Sequence, residues 1–193
     1  MNELRARELV EFHDGGSASA PPSDLWRAIA ENHRHNRLLW DEEDLARRRN
    51  AADAEIAGNK RSIDRYNQKR NDAIESIDEQ ILVLLSAIQP NPDVGLNSET
   101  PGSIIDRLSV LSLRIHQMRL QTERKDVGRV HVEDCLAMLA RLREQRADLA
   151  SCLDQLLADC AAGKRRFKIY RQFKMYNDPA LNPAIYGESK RST

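Results

Sequence analysis

LWRAIAENHRHNRLLWDEEDLA, residues 25–46, carries Leu25, Ile29, Asn32, Asn36, Leu39, Glu43 and Ala46 at intervals of three or four. That interval keeps one face of an α-helix turned inward, so the stretch predicts a helix whose buried stripe includes two asparagines and a glutamate. Residues 60–81 repeat the pattern. Ile63, Tyr66, Arg70, Ile74, Ile77 and Ile81 form the stripe, and Lys60, Asn67, Asn71 and Asp78 flank it. At 100° per residue those four polar positions fall within roughly 40° of one another, in a single lane. If the chain turns near Asn50–Asp53, the common rise of antiparallel helices sets Glu43 against Lys60, Asn36 against Asn67 and Asn32 against Asn71. A buried amide or charge without a partner costs about 1–3 kcal/mol, so polar positions in register predict a polar interior with a purpose. Two purposes fit: a device that fixes helix register, or a pocket between helices that holds a polar molecule.

Working outward, Ser23 is a plausible cap for the first of these helices, which runs to about Arg49, and Asp53 can cap the second, which runs to about Ile88. Gln89-Pro90-Asn91-Pro92-Asp93-Val94-Gly95-Leu96-Asn97 excludes regular structure. A third helix starts near Thr100-Pro101 and keeps helical period through Ile104, Leu108, Leu111, Ile115 and Met118 to about Glu123. A fourth follows Gly128, carrying Leu136, Leu139, Leu142, Leu149, Leu153, Leu156 and Leu157 toward Cys160. Gly163 is one candidate for its end, while Phe167, Tyr170 and Lys174 hold helical spacing as far as Asn177-Asp178-Pro179. Upstream, Asn2–His13 reads as a short amphipathic helix followed by a Gly/Ser/Pro linker. No run alternates in the strand pattern. The fold class expected is therefore all-α: an elongated antiparallel bundle of about four long helices with a short N-terminal helix. The division expected is 1–22 for the short helix and linker, 23–178 for the bundle and 179–193 for an irregular tail. A helix of about 36 residues would span roughly 54 Å, which favours an elongated shape and a homo-oligomer.

Lysine plus arginine and aspartate plus glutamate each number 30, so no overall field attracts nucleic acid or an anionic membrane. Cys135, Cys152 and Cys160 fall on one predicted helix, too far apart along its axis to pair with one another. No run of about 18 apolar residues occurs and no secretory segment is evident, so the expectation is a cytoplasmic protein without membrane insertion.

The polar lane supplies the candidate ligand-binding residues Asn32, Asn36, Lys60, Asn67, Arg70 and Asn71. Arg107 and Arg114, one heptad apart on the third helix, and Lys174 can add cations for an anionic ligand. Lys174 closes a basic segment with interleaved aromatics, Lys164 to Tyr176, which reads as local capture of a phosphate-bearing small molecule or as core aromatics with a solvated cationic face. The start of the third helix can bind an anion through free backbone N–H groups, or Ser103 and Asp106 can form a capping box. Asp41 to Asp44 and the Glu75-Ser76-Ile77-Asp78 string resemble, loosely, the acidic motifs of all-α magnesium-dependent nucleotide pyrophosphohydrolases. The hairpin register separates the two groups by roughly 27 Å, which argues against that reading. His33 and His35 lie on different faces, and His13, His116 and His131 have no ligand-spaced partner, so neither metal nor cofactor is expected. No nucleophile motif or phosphate loop is present. Were the chain an enzyme, Glu43 or Asp64 would be the candidate general base.

Leu39 to Asp44, Lys60 to Asp64, Asn67 to Asp72, Glu99 to Leu111 and Lys174 to Pro179 together resemble a bacterial family known as domain of unknown function number four-two-five-four. The resemblance covers nearly all of the chain after the linker. It implies no established activity. Members are similar in often being encoded near glycosyltransferases of lipopolysaccharide and other surface glycans, which implies a role in envelope-glycan assembly. Two functions follow as expectations. One is binding of a phosphorylated or nucleotide-linked small molecule in the interhelical lane; the other is a non-catalytic dimeric scaffold for a glycosyltransferase.

Overall fold

The computed structural model describes residues 4–15, 23–88, 93–171, 178–184 and 187, and these form an all-α bundle of five helices. They are α1 (Ala6–His13), α2 (Asp24–Ala46), α3 (Asp53–Leu84), α4 (Pro101–Thr122) and α5 (Arg129–Ala161). The boundaries follow local chemistry. Ser23 caps α2, its hydroxyl accepting from Trp26 N at 3.3 Å, and Thr100 caps α4 in the same way for Ser103 N at 3.2 Å, with Pro101 in the first turn. Asp53, expected as the cap of α3, is instead its first residue; the Glu55 carboxylate reaches back to Ala52 N at 3.0 Å.

The end of α5 settles the alternatives left open by the sequence. Gly163 has φ +66°, Lys164 N donates to Asp159 O at 2.8 Å, and Gly163 N donates to Cys160 O at 3.1 Å. This is a Schellman termination, which needs a residue comfortable in the left-handed region. Residues 164–171 of the basic segment therefore leave the helix and run extended. They pair with the loop before α4 through Asn97 N to Arg166 O at 2.8 Å and Arg166 N to Gly95 O at 3.3 Å.

α2 and α3 form one antiparallel hairpin and α4 and α5 another, and the hairpins meet through α2 and α3 against α4. The α2/α3 register is the expected one: Arg48 pairs with Glu55 at 3.7 Å, and the His35 and Tyr66 rings lie 6.2 Å apart. The core joins Leu25 and Ile29 of α2, Ile77 and Ile81 of α3, Ile105 and Leu108 of α4, and Leu153 of α5. Each such side chain contributes about 1.5–3 kcal/mol by leaving water. α1 belongs to the same core. Its Leu9 is fully buried, and its first residue is tied down by Ala6 N donating to Asp154 at 2.9 Å.

α3 and α4 come so close at Gly102 that a Cβ there would lie 2.6 Å from Ile74 O and 2.9 Å from Asp78 Cγ. Gly102→Ala is expected to lower stability by about 3 kcal/mol through overpacking and a weakened Asp78 bond, a Tm drop of roughly 6–12 °C. Gly58, inside α3 with open space where its Cβ would be, is the contrast. Gly58→Ala should raise stability by about 0.5–1 kcal/mol. Thermal unfolding of the two variants checks both signs.

Candidate functional site

Asn32 and Asn36 of α2 and Asn71 and Asp78 of α3 are buried as periodicity predicts, whereas Lys60 is exposed and Asn67 half-buried, and the hydrogen bonds of the two α2 amides leave the α2/α3 hairpin and run to α4. Asn32 and Asn36 donate through Nδ2 to Asp106 Oδ1 at 2.8 and 2.9 Å, and Asn36 Nδ2 also reaches Ser109 Oγ at 3.0 Å. Arg70 brings its Nε to 4.0 Å from the same carboxylate oxygen, and that buried Nε has no hydrogen-bond partner among the described residues. Asp106 is thus the common acceptor for α2 and the counter-charge for α3. Three helices, rather than two, share the polar interior.

Asp78 is used differently. Gly102 N donates to its Oδ1 at 2.6 Å and the Thr100 hydroxyl also bonds it, so a free N–H group at the start of α4 meets a carboxylate of the chain itself. The capping box proposed for Ser103 and Asp106 does not form, because Asp106 faces α2 and α3. Burial pushes the Asp78 carboxyl up to about 6; the two hydrogen bonds oppose the shift and the nearby Glu75 charge adds to it.

Beside Asp78 a cleft of about 210 Å³ opens where α3, the start of α4 and the extended segment after α5 converge. Asn71, Glu75 and Asp78 line it from α3, Thr100 and Ser103 from the α4 entry, and Lys168 from the extended segment. The fold makes this site by ending α5 at Gly163. As a continued helix, residues 164–170 would project away from the loop they now pair with.

A second polar feature joins α1 to α2. The His13 and His33 rings stack with centroids 4.8 Å apart, and His33 Nδ1 bonds Ser109 Oγ at 2.8 Å. His13 is buried, and neither ring nitrogen has a partner among the described residues. Arg146 sits close by, bonded to Asp14 at 2.6 Å. Burial drives the His13 imidazole down to about 3, helped by the positive charges of His33 and Arg146. His33 falls to about 4, chiefly by burial and then by Arg37, against a contrary pull from Asp14. The sequence gives no spacing signal for this pair, because the linker hides the fact that α1 returns to α2.

The candidate residues therefore divide. Asn32, Asn36 and Arg70 converge on Asp106, while Asn71 lines the cleft. Asn67 is half-buried on α3. Lys60 pairs on the surface with Asp64, and Glu43 pairs with Arg47 at 3.0 Å, so neither proposed general base is buried and the expected Glu43–Lys60 pair is not made. Arg107 pairs with Glu99 at 2.7 Å in the open, and Arg114 lines a groove between α4 and α5. Lys174 lies outside the described residues. Among the described residues no three His, Cys, Asp or Glu side chains come together as metal ligands. No described helix is long and apolar enough to cross a membrane.

A protein family described as a protein of unknown function (DUF4254) matches residues 26–169, from the first turn of α2 to the extended segment. The matched region holds all of the cleft except Tyr170, and excludes α1. No curated protein and no solved structure matches the chain.

Proposed function

The chain belongs to the DUF4254 family, which carries no assigned activity, and we propose from the geometry that it binds a small phosphorylated, hydroxyl-rich molecule, a sugar phosphate, in the cleft beside Asp78. The observation that carries this reading is the lining of the cleft. Asn71, Asp78, Thr100 and Ser103 offer the mixture of donors and acceptors that hydroxyl groups need, with Lys168 as its cation. Ile74 and Ile169 add apolar surface of the kind that the C–H face of a sugar ring covers. About 210 Å³ is below the usual 300–1,000 Å³ of pockets for drug-sized ligands. The size favours a monosaccharide phosphate over a nucleotide-linked sugar. A sugar phosphate also suits the envelope-glycan setting implied by the family resemblance.

The test is thermal unfolding with hexose phosphates, inorganic phosphate and sugar nucleotides, each with and without magnesium. A cleft ligand at a hundred times its Kd should stabilise the fold by about 2.7 kcal/mol. Lys168→Ala and Ser103→Ala should each abolish that shift, and Arg70→Ala should leave it. No stabilisation by any sugar phosphate would contradict the proposal. Loss of the shift in Arg70→Ala alone would move the site to the Asp106 cluster, and a shift that needs magnesium would favour the pyrophosphohydrolase reading.

A further inference from the structure

A groove runs along α4 and α5 on the side away from α1. Arg146 and Asp154, which hold α1, lie on one flank of α5's core stripe; Arg141, Asp148 and Cys152 lie on the other, by the 100° turn per residue. Two hollows of about 680 and 510 Å³ make up the groove and share Arg114 and Gln145. From Met138 to Cys152 it extends for about 21 Å, four turns of helix, which is the length of a helix seat. Its floor is apolar: Met118 on α4, Leu142 and Leu149 on α5, and Trp40 from α2 closing one end.

The rim of the groove is a stripe on α5, with Asp134, Met138, Arg141, Gln145, Asp148 and Cys152 at alternating intervals of four and three. That is the spacing by which two helices pack along their length. All six are exposed. Asp134, Arg141 and Asp148 have no ion-pair partner among the described residues.

We propose that a second copy of this chain docks in the groove, its α5 lying antiparallel to the first and crossing it at Gln145. The charge pattern selects this partner. With Gln145 on the two-fold axis, Arg141 falls within one residue, about 1.5 Å along the axis, of Asp148 of the copy, and Asp148 within the same distance of its Arg141, so long side chains turn one pair of unmatched charges into two reciprocal ion pairs. Met138 falls opposite Cys152 of the copy and covers the apolar end of the groove. A parallel arrangement would set Arg141 on Arg141 and Asp148 on Asp148, which repels. The ion pairs set orientation and register, while the covered floor supplies most of the affinity.

Sedimentation velocity and disulfide trapping test this together. The chain should sediment as a dimer at about 100 µM, and Arg141→Glu should weaken that dimer at least roughly tenfold. The charge exchange Arg141→Glu with Asp148→Arg should restore it. In a Cys152→Ser background, Gln145→Cys should form an intermolecular disulfide on mild oxidation, because residues on a two-fold axis approach their own copies. Leu136→Cys, on the opposite face of α5, should not. These positions are exposed, so folding is not at stake. A monomer at that concentration overturns the proposal and leaves the groove to another protein. So does a dimer indifferent to Arg141→Glu in which Gln145→Cys fails to cross-link.

Discussion

Acidification from pH 7 to pH 4 should remove about 4 kcal/mol of stability, with His13 and His33 responsible for the loss. Their imidazoles are held at about 3 and about 4, chiefly by burial, against about 6.5 for histidine in an unfolded chain. Below pH 6.5 the unfolded chain therefore takes up protons that the fold refuses. Stability falls as pH falls through that window, by about 3 kcal/mol per ring at pH 4. Asp78 acts in the opposite sense. Its carboxyl is held up at about 6, against 3.8, so the fold keeps a proton that the unfolded chain releases. That contribution is lost as pH rises from about 4 to 6, and acidification to pH 4 returns about 2 kcal/mol. The histidines win because two displaced rings outweigh one carboxyl. Against a typical total of 5–15 kcal/mol, the net loss is large. Urea unfolding at pH 7, 6, 5 and 4 measures it. His13→Phe, which keeps an aromatic ring on the stack with His33, should give a nearly flat profile, and Asp78→Asn a steeper one than the parent chain. A parent midpoint that rises on acidification would show that these rings are protonated in the fold.

The helices and the hairpin register were legible because each depends on one segment or two neighbours. Caps at Ser23 and Thr100 and the stripes through Leu25 and Ile63 contain that information locally. The destination of the polar lane was not legible. Periodicity says that Asn32 and Asn36 point inward, yet it cannot say which helix occupies the inside, and a register argument built on two helices ignores the third. The sequence therefore offers Asp106 only as part of a cap, although its place in the second turn of α4 lets it meet both α2 and α3. Residues 164–171 show the reverse failing. Phe167 is buried and Ile169 half-buried against the core while Lys168 and Tyr170 are exposed, an alternation of period two. Over so short a run, Phe167 and Tyr170 also satisfy helical spacing, and only the glycine at 163 decides between the two. The His13–His33 contact depends on how a linker returns, which no periodicity encodes.

Asp106→Ala should cost about 3–5 kcal/mol. Asn32 Nδ2 loses the only acceptor it has among the described residues, inside a side chain with no exposed surface. Asn36 keeps Ser109 Oγ, and Arg70, whose Nε is already unpartnered, is left as a half-buried cation without its counter-charge. Asp106→Asn keeps an acceptor oxygen in the same place and removes only the charge, so it should cost about 1 kcal/mol. The gap between the two variants measures how much of the cluster is hydrogen bonding and how much is charge. A triple replacement then decides what the cluster is for. With Asn32, Asn36 and Asp106 all changed to leucine, no buried amide is left without a partner and only Arg70 still lacks its counter-charge, so stability should recover most of what Asp106→Ala loses. If the amides serve to fix register, that protein should be stable yet poorly specified, with broadened amide resonances in its NMR spectrum, and it should still bind a sugar phosphate in the cleft. A stable triple variant with sharp resonances and no ligand response would place the binding site at Asp106 instead. The polar interior would then serve recognition rather than register.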